Sequence, residues 1–292
     1  MIVGVCYTKN RDNIIEVLDG FCEGILNSAD SYIKVKNEGE IDRLHKCDVI
    51  VQYGEFNGGN NLLRGLVNDY CLETKKPKLI MDIGFLKNDR WVKNSSKGYT
   101  SIGLNCTKGY GQYFNQKSPP DRWRLLGLDM KGWRIGNKIL ILGQMAGGVS
   151  TRHFNVVGWY AWAVQQLRKQ TNCQILLRPH PNQKVLPDIP DKNFDILPAN
   201  RPFSQDLEDV LCVITKTSNS ALEPLIEGIP IITDDDLCIA YPLANHSYFL
   251  KDLIYPNREQ FLYNLAYSQW NLKEIKQGLP WKHFRSHLQK LI

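Results

Sequence analysis

The stretch that most limits the fold of this chain is Thr215–Thr233, T-K-T-S-N-S-A-L-E-P-L-I-E-G-I-P-I-I-T. Val210–Ile214 reads as a buried strand leading into it. Thr217, Ser218, Asn219 and Ser220 are residue types that cap helix N-termini. Ala221–Glu227 then spells a helix of about two turns. Gly228 stands where a helix end needs a left-handed residue, and Ile229–Ile232 is the next strand. Strand, polar turn, short helix and strand together describe one βαβ step of a parallel sheet. A helix opened by hydroxyls and free N–H groups can hold an anion, and Glu223, one turn in, could meet a sugar hydroxyl. An ordinary capped helix fits the same residues.

The rest of the chain repeats this grammar. In the first half, Ile2–Tyr7, Ser31–Val35, Asp48–Tyr53 and Lys78–Met81 read as strands. Between them, Ile14–Leu26, Ile41–His45 and Asn61–Thr74 read as helices, the first with Ile14, Val17, Leu18, Phe21 and Ile25 on one face. In the second half, Lys138–Leu142, Thr171–Leu177, Phe194–Leu197 and Val210–Ile214 are strands, Phe154–Lys169 a long helix and Ser204–Glu208 a short one. The expected class is α/β, with two Rossmann-like doubly wound domains facing a cleft. A length of 292 residues suits two such cores. Expected boundaries are 1–132, with a loop-rich part at 87–132, then 133–268, then 269–292 as a last helix crossing back to the first domain. Residues 258–292 read as helical with little core character.

No apolar run approaches the ~20 residues of a membrane span. The first strand begins at once, without a basic leader, so a cytosolic protein is expected. Eight cysteines are scattered without a C-x-x-C pair, which favours buried free thiols over metal ligands. Asp234–Asp236 are three consecutive carboxylates that cannot converge from one strand end. They read as a solvated loop, and no metal is expected.

Ligands of doubly wound sheets bind beyond the carboxyl ends of the strands. Asp82 stands there, straight after L-I-M, and a carboxylate in that place can take the proton of an attacking hydroxyl. The alternative is that Asp82 caps the next turn. Glu55, after the preceding strand, is the rival base.

Residues 87–138 hold eleven Lys and Arg against three Asp, a larger excess than the net +6 of the whole chain. Trp91, Tyr99, Tyr110, Tyr113, Phe114, Trp123 and Trp133 are interleaved. Arg90, Lys93, Lys97 and Lys108 are the candidate contacts to a polyanionic acceptor. A solvated interdomain connection would read the same way.

Three blocks carry a resemblance: I-L-I-L-G-Q at Ile139–Gln144, L-L-R-P-H-P-N-Q at Leu176–Gln183, and S-N-S-A-L-E-P-L-I-E-G-I-P. In this order they resemble the GT-B glycosyltransferases. That resemblance implies a nucleotide-sugar donor, of UDP type, as co-substrate, with no other cofactor. It implies that Ser218, Asn219 and Ser220 hold the diphosphate, that Arg178 and His180 neutralise the leaving phosphate, that Glu223 binds the ribose, and that Gln144 with its glycine loop covers the donor. The R-P-H-P block also occurs in capsule sugar transferases. D-I-G-F-L-K-N-D-R-W, Y-T-S-I-G-L-N and R-W-R-L-L-G-L-D-M-K-G-W-R resemble small phage-encoded glycosyltransferases acting on hydroxymethylated pyrimidines. The acceptor this implies is double-stranded DNA, with Asp82 as base and, for a phage protein, the host cytoplasm as location. The alternatives are a cell-surface polysaccharide or lipid precursor as acceptor, and a non-catalytic nucleotide-sugar or glycan binding protein.

Overall fold

The computed structural model describes residues 1–9, 11–54, 61–87, 98–146, 149–183, 193–198 and 200–292. In chain order the strands are β1 (Ile2–Cys6), β2 (Ser31–Val35), β3 (Val49–Tyr53), β4 (Lys78–Ile83), β5 (Tyr99–Leu104), β6 (Lys138–Leu142), β7 (Gln174–Arg178), β8 (Asp195–Ile196), β9 (Val210–Ile214), β10 (Ile231–Ile232) and β11 (Gln269–Asn271). The α-helices are α1 (Asp12–Leu26), α2 (Leu62–Thr74), α3 (Asp121–Leu126), α4 (Val156–Arg168), α5 (Phe203–Asp206), α6 (Leu222–Ile226), α7 (Glu259–Ala266), α8 (Leu272–Lys276) and α9 (Leu279–Leu288). They form two compact units. One is Met1–Gly127 with Glu259–Ile292, and the other is Leu128–Arg258. Residues 259–268, expected with the second domain, belong to the first unit.

The first unit holds a six-stranded sheet in the order β11-β5-β4-β3-β1-β2. β2, β1, β3 and β4 run parallel, while β5 and β11 are antiparallel additions beyond β4. Alternate residues feed two cores, as the strand pleat requires. Val3, Val5, Val51 and Met81 pack under α1 and α9, and Cys6 and Ile50 pack under α2. This is the doubly wound arrangement. β5 lies inside the stretch expected to be loop. Its pattern is not apolar, because the buried Ser101 gives its hydroxyl to the carbonyls of Asp82 and Ile83 at 3.2 and 3.0 Å.

The C-terminal stretch corrects a second expectation. Trp270, Ile275, Trp281, Phe284 and Leu288 are all buried in the first core. Trp281, Phe284 and Leu288 recur at helical spacing along α9, and the Trp281 ring meets Phe21 of α1 edge-on at 6.1 Å. The closing helices are therefore part of the unit's core.

The second unit is a five-stranded parallel sheet, β10-β9-β6-β7-β8. Asn155 caps α4 by accepting from Gly158 N at 3.0 Å. Trp159, Tyr160, Ala163, Val164 and Leu167 of α4 bury against Ile139, Ile141, Ile175, Leu177 and Ile214. Gly228 takes φ 78°, the left-handed conformation its position requires. The eight cysteines are free and seven are buried. Burial pushes the Cys212 thiol up to about 12. Among the described residues no helix is long and apolar enough to cross a membrane.

Candidate functional site

In the second unit the expected donor residues sit at the carboxyl ends of β6, β7 and β9, where parallel strands expose their last carbonyls and the helices begin. Gln144, two residues beyond β6, is buried. Its Nε2 donates to Thr217 Oγ1 at 2.6 Å, and its Oε1 accepts from the N–H groups of Lys216 and Thr217 at 3.1 and 3.2 Å. The Tyr160 hydroxyl accepts from Gln144 N and donates to Gln144 O. The side chain ties the β6 and β9 edges together.

Arg178 ends β7. Its guanidinium pairs with Asp206, whose side chain is fully buried, and donates to Arg201 O at 3.2 Å. Arg201 Nε lies 2.7 Å from the other Asp206 oxygen. Two guanidiniums thus share one buried carboxylate. The Phe203 ring lies 4.9 Å from the Arg178 guanidinium. Burial pulls the Arg178 pKa down, Glu223 opposes this, and Arg201 adds to it. The charge of Glu223 is therefore felt at Arg178, although 45 residues separate them in sequence.

His180 Nδ1 accepts from Asn182 N at 3.1 Å. That bond leaves the ring proton on Nε2, the atom with which His180 can donate. Ser218 opens the next turn, its Oγ accepting from Ser220 N at 3.2 Å. Residues Asn219–Ala221 form a single 3₁₀ turn before α6. Asn219 Oδ1 is buried without a hydrogen-bond partner among the described residues. Glu223 is exposed in the first turn of α6.

The acidic run after β10 lies in a loop. Asp234 pairs with Lys216 at 2.7 Å, and Asp235 pairs with His153 at 2.7 Å while accepting from Leu237 N at 3.0 Å. Asp234 and Asp236 are exposed, as expected of a solvated loop, and Asp235 is partly buried on its hydrogen bond with His153. No cluster of three or more His, Cys, Asp or Glu placed to hold a metal occurs among the described residues.

In the first unit, Asp82 lies within β4 as its penultimate residue rather than after the strand. Its Oδ1 accepts from Ile83 N at 2.8 Å. The following turn is secured by Gln269 of β11, whose Oε1 accepts from Phe85 N and Leu86 N at 2.7 and 2.9 Å. Asp82 therefore does not cap that turn. Its charge is felt instead by Lys9, Arg64 and Tyr53. Glu55, Arg90, Lys93 and Lys97 lie outside the described residues.

The basic segment is divided between the two units. Residues up to Gly127 belong to one unit and those from Leu128 to the other. Lys87 donates to Leu126 O at 2.7 Å. Arg122 pairs with Glu274 at 2.8 Å and donates to Ala266 O and Gln269 O. Lys131 pairs with Asp129, and Arg134 donates to Leu207 O at 2.6 Å. Lys108 is half-buried. The aromatics pack inward: Tyr113 meets Phe85, Phe114 stacks on His287, Trp123 meets Tyr263, and Arg258 lies over Trp133. These groups brace their own units.

Asp206, Lys9, Arg64 and Gln269 were not singled out in the sequence. Asp206 sits in F-S-Q-D, which reads as a surface helix, and only the fold shows that it receives both arginines.

No protein-family model and no curated protein matches this chain. Among solved structures it is similar to Thermosulfurimonas dismutans KpsC, β-Kdo 2,7-transferase, with a TM-score of 0.57 and 15% identity over 96% of this chain and 99% of that one. It is also similar to Thermosulfurimonas dismutans KpsC, β-Kdo 2,4-transferase, with a TM-score of 0.56 and 14% identity over 96% and 98% of the two chains. Identity at this level speaks for the fold, which is α/β with one mixed and one parallel sheet and GT-B-like.

Proposed function

We propose that this protein is a glycosyltransferase that moves a sugar from a nucleotide-activated donor to a hydroxyl of a saccharide acceptor. The observation that carries the reading is the Arg178 site. A strand-end arginine is fixed by a buried carboxylate that it shares with a second arginine, and Glu223 lies within its electrostatic reach. Leaving-group phosphate charge grows in the transition state, and a fixed guanidinium stabilises it without reorganising. In this reading His180 donates from Nε2 to the same phosphate. Ser218, Asn219 and Ser220 receive the rest of the donor phosphate through hydroxyl and N–H groups. Glu223 takes the ribose hydroxyls, and Asp82 takes the proton of the acceptor hydroxyl.

The likeness to two proteins named as Kdo transferases favours a sugar acceptor, such as a cell-surface polysaccharide or lipid precursor, over hydroxymethylated DNA. Of the cations in 87–138, Lys87, Arg122 and Arg134 are bound to carbonyls of their own units rather than offered to a polyanion. The deciding assay offers UDP-hexoses and CMP-activated acidic sugars as donors, with capsular oligosaccharides or hydroxymethylated duplex DNA as acceptors. Transfer to the oligosaccharide is expected. Transfer to DNA alone would restore the nucleic-acid reading, and binding of donor with neither transfer nor hydrolysis would make this a binding protein.

A further inference from the structure

The second unit carries a cavity of about 380 Å³ that none of the proposed donor residues lines. That volume falls within the ~300–1,000 Å³ of small-ligand sites. Its aromatic lining is Phe154, Trp159 and Trp162, from α4 and the residue before its cap. Trp159 is buried and Phe154 half-buried, but Trp162 is 43% exposed even though its ring meets that of Tyr248 at 4.7 Å. Lys216, which follows β9, and Asp234, which follows β10, supply the charged lining. They pair at 2.7 Å, and Lys216 Nζ lies 5.6 Å from the centroid of the Phe154 ring. The Tyr248 hydroxyl accepts from Trp159 Nε1 at 2.9 Å and donates to Asp234 Oδ1 at 3.4 Å. Lys216 and Tyr248 therefore both hold Oδ1, which leaves Oδ2, among the described residues, to accept from a ligand.

Gly158 lines the same cavity, in the first turn of α4. Nothing in the fold calls for a glycine there. Its backbone is not left-handed, and the nearest atoms a Cβ would meet are those of the Asn155 cap, at 3.4 Å and beyond. Glycine weakens a helix relative to alanine. What the missing side chain leaves is room, one turn from Trp162 on the same helix face. The charge at the cavity selects its occupant. An ammonium and a carboxylate side by side carry no net charge, so a phosphate or carboxylate drawn to Lys216 would meet Asp234. A pair of hydroxyls suits both groups, because each hydroxyl can donate to the carboxylate and accept from the ammonium. Vicinal hydroxyls stand about one hydrogen-bond length apart, as the pair does. The C–H face of a pyranose also buries apolar area on an indole.

We propose that this cavity is a subsite for one uncharged pyranose ring of the saccharide acceptor. The assignment rests on the glycosyltransferase reading for the word acceptor, but the saccharide site itself does not. Trp162 is the platform, Gly158 leaves the room beside it, and Asp234 and Lys216 take two neighbouring hydroxyls. Lys216 stands just ahead of Ser218 in the loop after β9, and its N–H is held by Gln144. A ring bound here is therefore tied to the loop that opens the proposed donor turn.

The test is read without donor and without transfer. In protein labelled with 5-fluorotryptophan, the Trp162 fluorine signal is the one missing from Trp162→Phe. Glucose, galactose, mannose, N-acetylglucosamine and lactose are the saccharide probes, with uridine and inorganic phosphate as controls. At least one saccharide should move the Trp162 signal saturably, with a millimolar Kd, and phosphate should not. Gly158→Leu fills the cavity with a better helix former. It should weaken that saccharide by about tenfold or more while the unfolding midpoint stays at least at the wild-type value. Asp234→Ala removes the charged acceptor and should also cost about tenfold. No saturable shift with any of the five saccharides, or undiminished binding by Gly158→Leu, overturns the subsite. Uridine binding more tightly than every saccharide would make the cavity a site for a flat heterocycle and overturns it as well. If a saccharide moves the Trp162 signal but the protein transfers no sugar, the subsite stands and the enzymatic reading falls. If transfer is unaltered in Gly158→Leu and the Trp162 signal is silent, the subsite falls and the enzymatic reading stands.

Discussion

Gln144 Nε2 donates to Thr217 Oγ1 over 2.6 Å, joining the loop after β6 to the loop after β9. The same side chain satisfies the N–H groups of Lys216 and Thr217. Its position fits the I-L-I-L-G-Q block, but its polar atoms are engaged inside the unit. Gln144→Ala would leave two backbone donors and a threonine hydroxyl without that partner, at about 1–3 kcal/mol for an unmet buried group. A loss of at least about 2 kcal/mol in denaturant unfolding is expected. A loss under about 0.5 kcal/mol would mean that Gln144 is no brace and return it to the donor role alone.

Acid should loosen the first unit at Asp30. Burial by itself would raise this carboxyl, but hydrogen bonds from Arg285, Trp281 and Ser28 outweigh it and hold the pKa well below the usual carboxylate range. A carboxyl depressed by folding contributes stability above its unfolded pKa near 4, and that contribution drains away as pH falls through the folded value. Wild type should exceed Asp30→Asn in stability at pH 7, and the gap should narrow steadily below about pH 4. A gap that stays constant from pH 7 to pH 3 would show that the ionised form is not what folding favours.

Gly228→Ala tests the turn that the sequence announces most clearly. The backbone there is left-handed, and a Cβ would stand 2.0 Å from Gly132 O. The φ penalty alone is roughly 1–2 kcal/mol, and the clash adds to it. A fall of at least about 2 kcal/mol in unfolding free energy is expected, and a silent substitution would contradict the geometry.

The elements legible in the sequence share one property: apolar residues carry them. β1, β3, β6 and β9 are short apolar runs bounded by turn residues, and α1 shows its buried face at helical spacing. β5 and β11 were harder to read because their apolar core residues Ile102, Leu104 and Trp270 are interleaved with buried Ser101 and Gln269, whose side chains are satisfied by hydrogen bonds. Charge misled for the related reason that local composition does not show partners. Lys87, Arg122 and Arg134 of the basic segment bind carbonyls, Asp234 and Asp235 find Lys216 and His153, and Arg178 finds Asp206. Of the candidate site, residue types and strand ends could be read from the sequence, but long-range pairings could not.

The donor reading separates two variants kinetically. Ribose contacts are similar in ground and transition states, so Glu223→Ala should raise the donor KM about tenfold with little change in kcat. Arg178→Lys keeps a charge but cannot span Asp206 and Arg201 O, and phosphate charge grows as the bond breaks. It should lower kcat by about 10²-fold. Circular dichroism and unfolding of Arg178→Lys check that the fold persists, since Asp206 depends on its partner. Wild-type KM and kcat in both folded variants would remove the two residues from the donor site.

Asp82 carries the sharpest prediction. Two roles were open to an acid at the end of β4: capping the next turn, or receiving a proton. Gln269 already holds the N–H groups of Phe85 and Leu86, and Asp82 accepts only from Ile83 N among the hydrogen bonds of that turn. Asn can keep that single bond through its own carbonyl oxygen, so Asp82→Asn should fold with near wild-type stability. Asn cannot take a proton from a hydroxyl. If Asp82 is the base, the variant should bind donor normally and lose about 10²–10⁴-fold in turnover. Circular dichroism and unfolding check that the Asn variant keeps the fold. Normal turnover by that variant would remove Asp82 from the mechanism and pass the proton to Glu55.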